Sequence, residues 1–330
     1  MDSLTRVQAA LSLELPDRPP VSWWGHTFQE EWSPGELATV TVARARGYGL
    51  DLVKLQPRAT CFAEAFGSRY RPSGDPMKPP EAIHPAVRVL EDWSWLPKVD
   101  GATVPLSHQV ETLAQVVAAL GPSVPVIQTV FSPITVAGYL LGQAKSRVVR
   151  EVRKFPALLR GALERIAEAL VDFAARSVAA GAAGIFFAVS GYASDVMMTR
   201  GEYEELVTPH DRRVLESLPE TAWCNILHLC GPRIHFELAR ELPARAVSWS
   251  VHEPGNPSLQ EGRDRAGKAV MGGLSQDQSL VHGPPEAVIE EGREAIRATG
   301  GRGLIIAPGC SVPPEAPEAN LRAISEIVGT

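Results

Sequence analysis

The run AWCNILHLC, Ala222–Cys230, reads as a β-strand with a metal-binding end. Side chains alternate along a strand, so Cys224, Ile226, His228 and Cys230 share one face while Trp223, Asn225, Leu227 and Leu229 share the other. His228 and Cys230 stand just before the turn at Gly231-Pro232. A rise of ~3.3 Å per residue puts their Cα atoms about 6–7 Å apart, which lets an imidazole and a thiolate converge on one ion. A further thiol, Cys310, follows Ala307-Pro308-Gly309 at the end of the last strand-like run. One imidazole with two thiolates is a donor set that suits zinc, and three protein ligands leave a position for a reacting group. Outside such a set a buried Cys is a small inert hydrophobe, and a strand His is often only a hydrogen-bonded group. What favours the metal is the coincidence of face, strand end and third ligand. Cys224, deeper in the strand, and Cys61, after the second strand, read as packing residues.

Weaker candidates surround these three. Glu253, with His252 before it, follows the strand Ala246–Val251 and is either a fourth ligand or a surface acid beside Pro254-Gly255. His26 and Gln56 end the first and second strands, and Ser190 with Tyr192 ends the fourth. Polar residues at such strand ends contact substrate or cofactor, or else cap loops.

Eight strands are expected to carry these residues: Val21–Trp24, Asp51–Gln56, Pro125–Phe131, Gly184–Val189, Ala222–Cys230, Ala246–Val251, Ala269–Leu274 and Gly303–Ala307. Segments of 3.6-residue apolar spacing separate them, among them Val110–Leu120, Leu158–Ala179, Glu202–Leu218 and Glu286–Ala298. Strands alternating with helices predict a parallel sheet, and eight such units in 330 residues predict a (β/α)8 TIM barrel forming one domain over 1–330. No Gly-x-Gly-x-x-Gly follows the first strand, which removes the main support for a dinucleotide fold. The interval from Pro57 to Val124 is long, and its Pro- and Trp-rich part, Pro72 to Pro97, is expected either to cover the C-terminal mouth of the barrel or to pack on its side.

Composition excludes several classes. With 32 basic against 38 acidic residues the chain carries a net charge of -6. The densest basic cluster, Lys145 to Lys154, reads as a solvated helix face, so no nucleic acid is expected as partner. The longest apolar run, Val178 to Val189, is too short for a membrane helix, and Asp2, Arg6 and Glu14 do not suit a signal peptide. Four cysteines in a chain of this size predict a reduced, cytoplasmic protein.

His228-Leu-Cys230-Gly231, Met271-Gly-Gly-Leu274 and Pro308-Gly-Cys310, followed by Pro313, Pro317, Glu318 and Asn320, resemble the uroporphyrinogen decarboxylase superfamily. Asp17-Arg18-Pro19-Pro20-Val21 and Phe131-Ser-Pro-Ile-Thr135 agree with it, and the resemblance runs from about residue 5 to the C-terminus. Within the superfamily the chain is similar to the zinc-dependent methylcobalamin:coenzyme M methyltransferases, marked by His-x-Cys and a distant Cys. That resemblance implies a (β/α)8 barrel, Zn2+ on His228, Cys230 and Cys310, and methyl transfer between a corrinoid and a thiol. Glu253 lies near the spacing of a glutamate ligand in the related cobalamin-independent methionine synthases.

The departures are informative. Decarboxylases of the superfamily carry an arginine soon after the first strand for propionate groups, whereas Ser22–Thr27 holds none. Their Gly-His-Gly near the C-terminus is Gly309-Cys310-Ser311 here. The expected activity is therefore zinc-dependent methyl transfer, with His228, Cys230 and Cys310 catalytic and a methylcorrinoid as co-substrate. The expected partners are a small thiol or methyl donor and a corrinoid protein. The rival readings are a metal-free decarboxylase-like lyase and a non-catalytic corrinoid- or tetrapyrrole-binding protein with a structural zinc.

Overall fold

The computed structural model describes residues 1–329. Its strands are β1 (Val53–Leu55), β2 (Arg69–Arg71), β3 (Glu81–His84), β4 (Val126–Phe131), β5 (Gly184–Val189), β6 (Ile226–Leu229), β7 (Ala246–Ser248), β8 (Ala269–Leu274) and β9 (Leu304–Pro308). Seven of them form one parallel sheet in the order β1-β4-β5-β6-β7-β8-β9, and β2 with β3 makes a separate antiparallel hairpin. Every residue of β4, β5 and β8 is buried, as a barrel wall requires with side chains inside and helices outside.

The gap between β9 and β1 is closed by the predicted first strand, Val21–Trp24. Val21 bridges Ile306 in parallel register, Ser22 N–H donates to Ile306 O, and Asp51 N–H donates to Val21 O. The segment does not extend into a regular strand, partly because Pro19 and Pro20 have no N–H for a ladder. Side-chain ion pairs hold it instead. Buried Asp51 takes Arg6 and Arg18, each at 2.6 Å, and accepts Val21 N–H at 3.0 Å. The barrel is thus (β/α)8, with seven strands and one bridging segment.

The predicted strand Ala222–Cys230 shortens to β6. Asn225 replaces part of the ladder with its side chain: its Oδ1 accepts from Ile185 N–H at 3.0 Å and its Nδ2 donates to Ala222 O at 2.7 Å. The interval after β1 divides its expected roles. The tip of the β2–β3 hairpin brings Pro76 and Met77 beside His26 and Val312–Pro314 on the C-terminal rim. The two tryptophans do not cover the mouth. Trp93 is fully buried and donates to Glu151 at 2.7 Å, and Arg165 donates to Ser94 O, so this part packs against the outer helices Lys145–Lys154 and Pro156–Ala179. Trp95 is exposed. Helix Lys145–Lys154 is amphipathic rather than wholly solvated: Val148, Val149 and Val152 are buried, while Arg147 and Arg153 pair with Glu151 and Glu202. Among the described residues no helix is long and apolar enough to cross a membrane.

Candidate metal centre

His228 and Cys230 lie at the C-terminal end of β6, and Cys310 lies two residues past β9. Their ligand atoms all fall within 4.8 Å of one another, and no other such group of three occurs among the described residues. The Cys230 and Cys310 sulfurs are 3.8 Å apart. Two Zn–S bonds of about 2.3 Å at a tetrahedral angle put sulfurs about 3.8 Å apart, so the spacing fits a zinc ion and is far too long for a disulfide.

Local structure explains the convergence. In the sheet His228 is in register with Ala188 of β5 and Ser248 of β7. Ser248 Oγ therefore meets His228 Nδ1 at 3.2 Å and leaves Nε2 as the free ligand atom. The imidazole also stacks on Phe186, at 5.0 Å between centroids and 29° between planes. Cys310 is held from both sides, since Gly309 N–H donates to Leu274 O and Val312 N–H donates to Trp24 O. Gly309 must be glycine for this approach, because a Cβ there would sit 2.5 Å from Ser250 Cα.

The two thiols shift each other in opposite directions. Hydrogen bonding with Cys230, and then with His228, holds Cys310 well below the ordinary thiol range, while the Cys310 partner pushes Cys230 well up. Cys224, by contrast, is fully buried, and burial alone pushes its thiol up to about 12, so it belongs to the core. Cys61 is buried likewise and raised for the same reason. All four cysteines are free.

Glu253 is not drawn into the trio. It is half-buried, and its charge reaches Cys230 without its carboxylate joining the three ligand atoms. His252 turns away, its Nε2 donating to Gly273 O at 3.1 Å. His26 and Gln56 meet each other, with Gln56 Nε2 3.0 Å from His26 Nε2. Ser190 is tied back through its N–H to Thr135 Oγ1 at 3.1 Å. Tyr192 is buried with its hydroxyl lacking a partner, lodged where a Cβ on Gly138 would sit 2.3 Å from it. Ser250 Oγ and Gln276 Oε1, just past β7 and β8, are also buried without partners.

Two residues of the site carried no motif. Ser248 acts only through sheet register. Lys54, in β1, is 6% exposed and packs its ammonium 5.2 Å from the centroid of Trp24 and 5.0 Å from that of Phe186. Burial lowers its pKa to about 7, opposed chiefly by the charge on Cys310. Its sequence signal was available: a lysine two residues before Gln56 shares its face of the strand.

Comparison with known proteins agrees with this architecture. The family model for uroporphyrinogen decarboxylase (URO-D) matches residues 3–330. A methylcobamide:CoM methyltransferase, MtaA of Methanosarcina barkeri, is 25% identical over 325 residues, covering 94% of this chain and 88% of the relative. A uroporphyrinogen decarboxylase of a Synechococcus species is 24% identical over 359 residues, covering 98% of this chain and 96% of the relative. Among solved structures, a methyltransferase from Methanosarcina mazei shares the fold with a TM-score of 0.84 at 22% identity, covering 99% of this chain and 98% of that one.

Proposed function

The chain belongs to the uroporphyrinogen decarboxylase (URO-D) family, and from that premise we propose that it is a zinc-dependent methyltransferase working between a corrinoid and a thiol. The observation that carries the reading is the trio at the barrel mouth, with its sulfurs at the zinc-ligand spacing. The whole chain, 1–330, serves as one domain for this chemistry, in a reducing compartment. Methylcobamide:CoM methyltransferases among the relatives support it.

His228 Nε2, Cys230 and Cys310 are the residues that would hold Zn2+, which when bound deprotonates a thiol whose free pKa is about 8.5 and keeps it as a nucleophile. Ser248 keeps the His228 ring oriented for that role. Phe186 closes the inner face of the imidazole and excludes water from it. Three protein ligands leave an open position, which supports catalysis over a closed structural site. In the reaction a lone pair of the thiolate sulfur forms the new S–C bond. The Co–C bond of the methylcorrinoid breaks, with its electron pair remaining on cobalt. His26, Gln56, Ser190 and Tyr192 flank the mouth as contacts for the substrates, and a corrinoid protein is the natural carrier of the cobalt partner.

The test is elemental analysis joined to corrinoid spectroscopy. About one zinc per chain is expected, together with a thiol-dependent shift of methylcobalamin from the methyl-Co(III) spectrum to the reduced form. Release of CO2 from a porphyrinogen, with methylcobalamin untouched by a panel of thiols, overturns the reading in favour of decarboxylation.

A further inference from the structure

The separation of the two sulfurs is not set by sheet pairing. Cys230 and Cys310 stand beyond the ends of β6 and β9, and β7 and β8 lie between these strands in the sheet. The ladders stop short of both cysteines, at His228 with Ser248 on one side and Leu274 with Pro308 on the other. Two thiols held 3.8 Å apart therefore need a link between the loops that carry them.

One side chain supplies that link. Asn256, in the loop after β7, donates from Nδ2 to Gly231 O at 3.0 Å and to Ser250 O at 2.9 Å. Its Oδ1 accepts from Ile234 N–H at 3.2 Å. A carboxamide has two N–H bonds and one acceptor oxygen, and here each has a partner. Two carbonyl oxygens on one side and an N–H on the other admit only this orientation of the amide. Gly231 follows Cys230 directly. Ser250 backs the other cysteine: a Cβ on Gly309, the residue before Cys310, would sit 2.5 Å from Ser250 Cα, so the two backbones are in contact.

The loop after Cys230 requires such a hold. Gly231 has φ +99° and Arg233 has φ +47°, and a left-handed conformation in a non-glycine residue persists only where its surroundings impose it. Arg233 N–H donates to Pro254 O at 3.0 Å, and Arg233 O accepts from Asp195 N–H at 3.1 Å. The bond to Pro254 joins the two loops three residues beyond Cys230, while Asn256 joins them at the residue next to it.

We infer that Asn256 is a positioning residue for Cys230 and Cys310: its carboxamide joins the loop that carries one to the loop that backs the other, and so fixes the spacing at which the two sulfurs share a metal ion. Asn256 bonds to neither sulfur and acts only through the backbone that it anchors. This rests on the zinc-dependent reading for the metal, while the spacing rests only on contacts within the chain.

The test uses the full chain. In chelator competition Asn256→Ala should hold Zn2+ about tenfold more weakly than the wild type. Asn256→Asp keeps the size of the side chain and the acceptor for Ile234 N–H, but sets a carboxylate against two carbonyl oxygens, so its loss should be at least as large. After loading with Co2+, the sulfur-to-cobalt charge-transfer and ligand-field bands should shift in both variants as the arrangement of the sulfurs changes. Asn256→Ser, which retains one donor, stands in should neither variant fold. Wild-type zinc affinity and a wild-type cobalt spectrum in the variants overturn the inference whatever their melting temperature, and leave Asn256 a loop cap.

A metal-free arm separates this inference from the zinc-dependent reading. Phenylarsine oxide bridges two neighbouring thiols, forming two As–S bonds while its oxygen leaves with both thiol protons as water. Cys61 and Cys224 are fully buried, so Cys230 and Cys310 are the pair it meets. The metal-free wild type should hold the arsenical against a competing dithiol more tightly than metal-free Asn256→Ala does. If zinc and cobalt fail to bind the wild type but this difference persists, the zinc-dependent reading falls and Asn256 stands as the residue that spaces the two thiols. If the difference is absent, the positioning role falls whatever the metal does.

Discussion

Two groups of buried polar side chains are completed in different ways. Under the outer helices Arg200–Leu206 and Thr208–Glu216, Tyr203 Oη donates to Asp211 Oδ2 at 2.6 Å, with both side chains fully buried. Nearby, His235 Nε2 donates to Met198 O at 2.9 Å and His210 Nδ1 meets Glu164 at 3.1 Å. That region closes on itself, with Asp211 Oδ1 as its one orphan. At the mouth the polar groups come from separate segments: Glu31 in the turn Glu30–Trp32, and Tyr192, Ser250 and Gln276 past the ends of three strands, each keep a buried atom without a partner. Side chains from adjacent helices can saturate one another. Those converging from separate segments onto a barrel axis meet fewer partners within the chain.

The sharpest way to break this contrast is to empty the mouth and watch the outer region. The double variant Cys230→Ser/Cys310→Ser should lose nearly all bound metal and about 10³-fold of methyl-transfer activity, because two of the three soft donors are gone. Its circular dichroism and melting temperature in the metal-free state should match those of the metal-free wild type. Zinc that remains stoichiometric in that variant would refute the assignment of the site.

A smaller effect should follow at Ser248, which touches the ligand and not the ion. Ser248→Ala frees His228 Nδ1, and metal affinity measured by chelator competition should fall about tenfold. An unchanged affinity would mean that stacking on Phe186 alone orients the ring.

Packing behind the mouth can be probed at Gly138. In Gly138→Ala the new Cβ meets Tyr192 Oη at 2.3 Å, and overpacking of this kind costs about 1–3 kcal/mol in unfolding experiments. Tyr192→Phe removes the clashing oxygen, so the double variant should recover most of the loss, and strictly additive costs would show that the hydroxyl is not where the alanine clashes.

The outer region is read through its pH dependence. Burial pushes the Asp211 carboxyl up to about 7, against an unfolded value near 4. A raised acid contributes its stability fully below the unfolded value and loses it as pH rises through the folded one. Asp211→Asn removes that loss while keeping an acceptor for Tyr203, so its stability relative to wild type should rise as pH goes from about 4 to about 7 and level off above that. A difference that stays flat with pH would contradict the buried, protonated carboxyl.

Much of the barrel was legible because its signals are local. Buried runs such as Gly184–Val189 and Ala269–Leu274 are strands in sequence and in structure, their apolar density reflecting a wall covered on both faces. The trio was legible for a similar reason: strand alternation sets His228 and Cys230 on one face, and Cys310 follows another strand of the same barrel. Lys54 was overlooked, although its spacing from Gln56 is the same alternation that singled out His228 and Cys230.

The amino-acid sequence by itself determined the repeating strand–helix pattern, the end of the barrel at which the soft ligands gather and the donor chemistry they offer, since each depends on periodicity and residue type along a few neighbouring positions. Only the tertiary structure decided the rest. It set Ser248 against His228 through the register between β6 and β7, and left Glu253 outside the trio. It also sent Trp93 to the flank while the hairpin tip came to the rim, and buried Lys54 against Trp24 and Phe186. Each of these depends on contacts between residues distant in the chain. Such contacts follow from the register and packing of the closed barrel, and no local spacing encodes them.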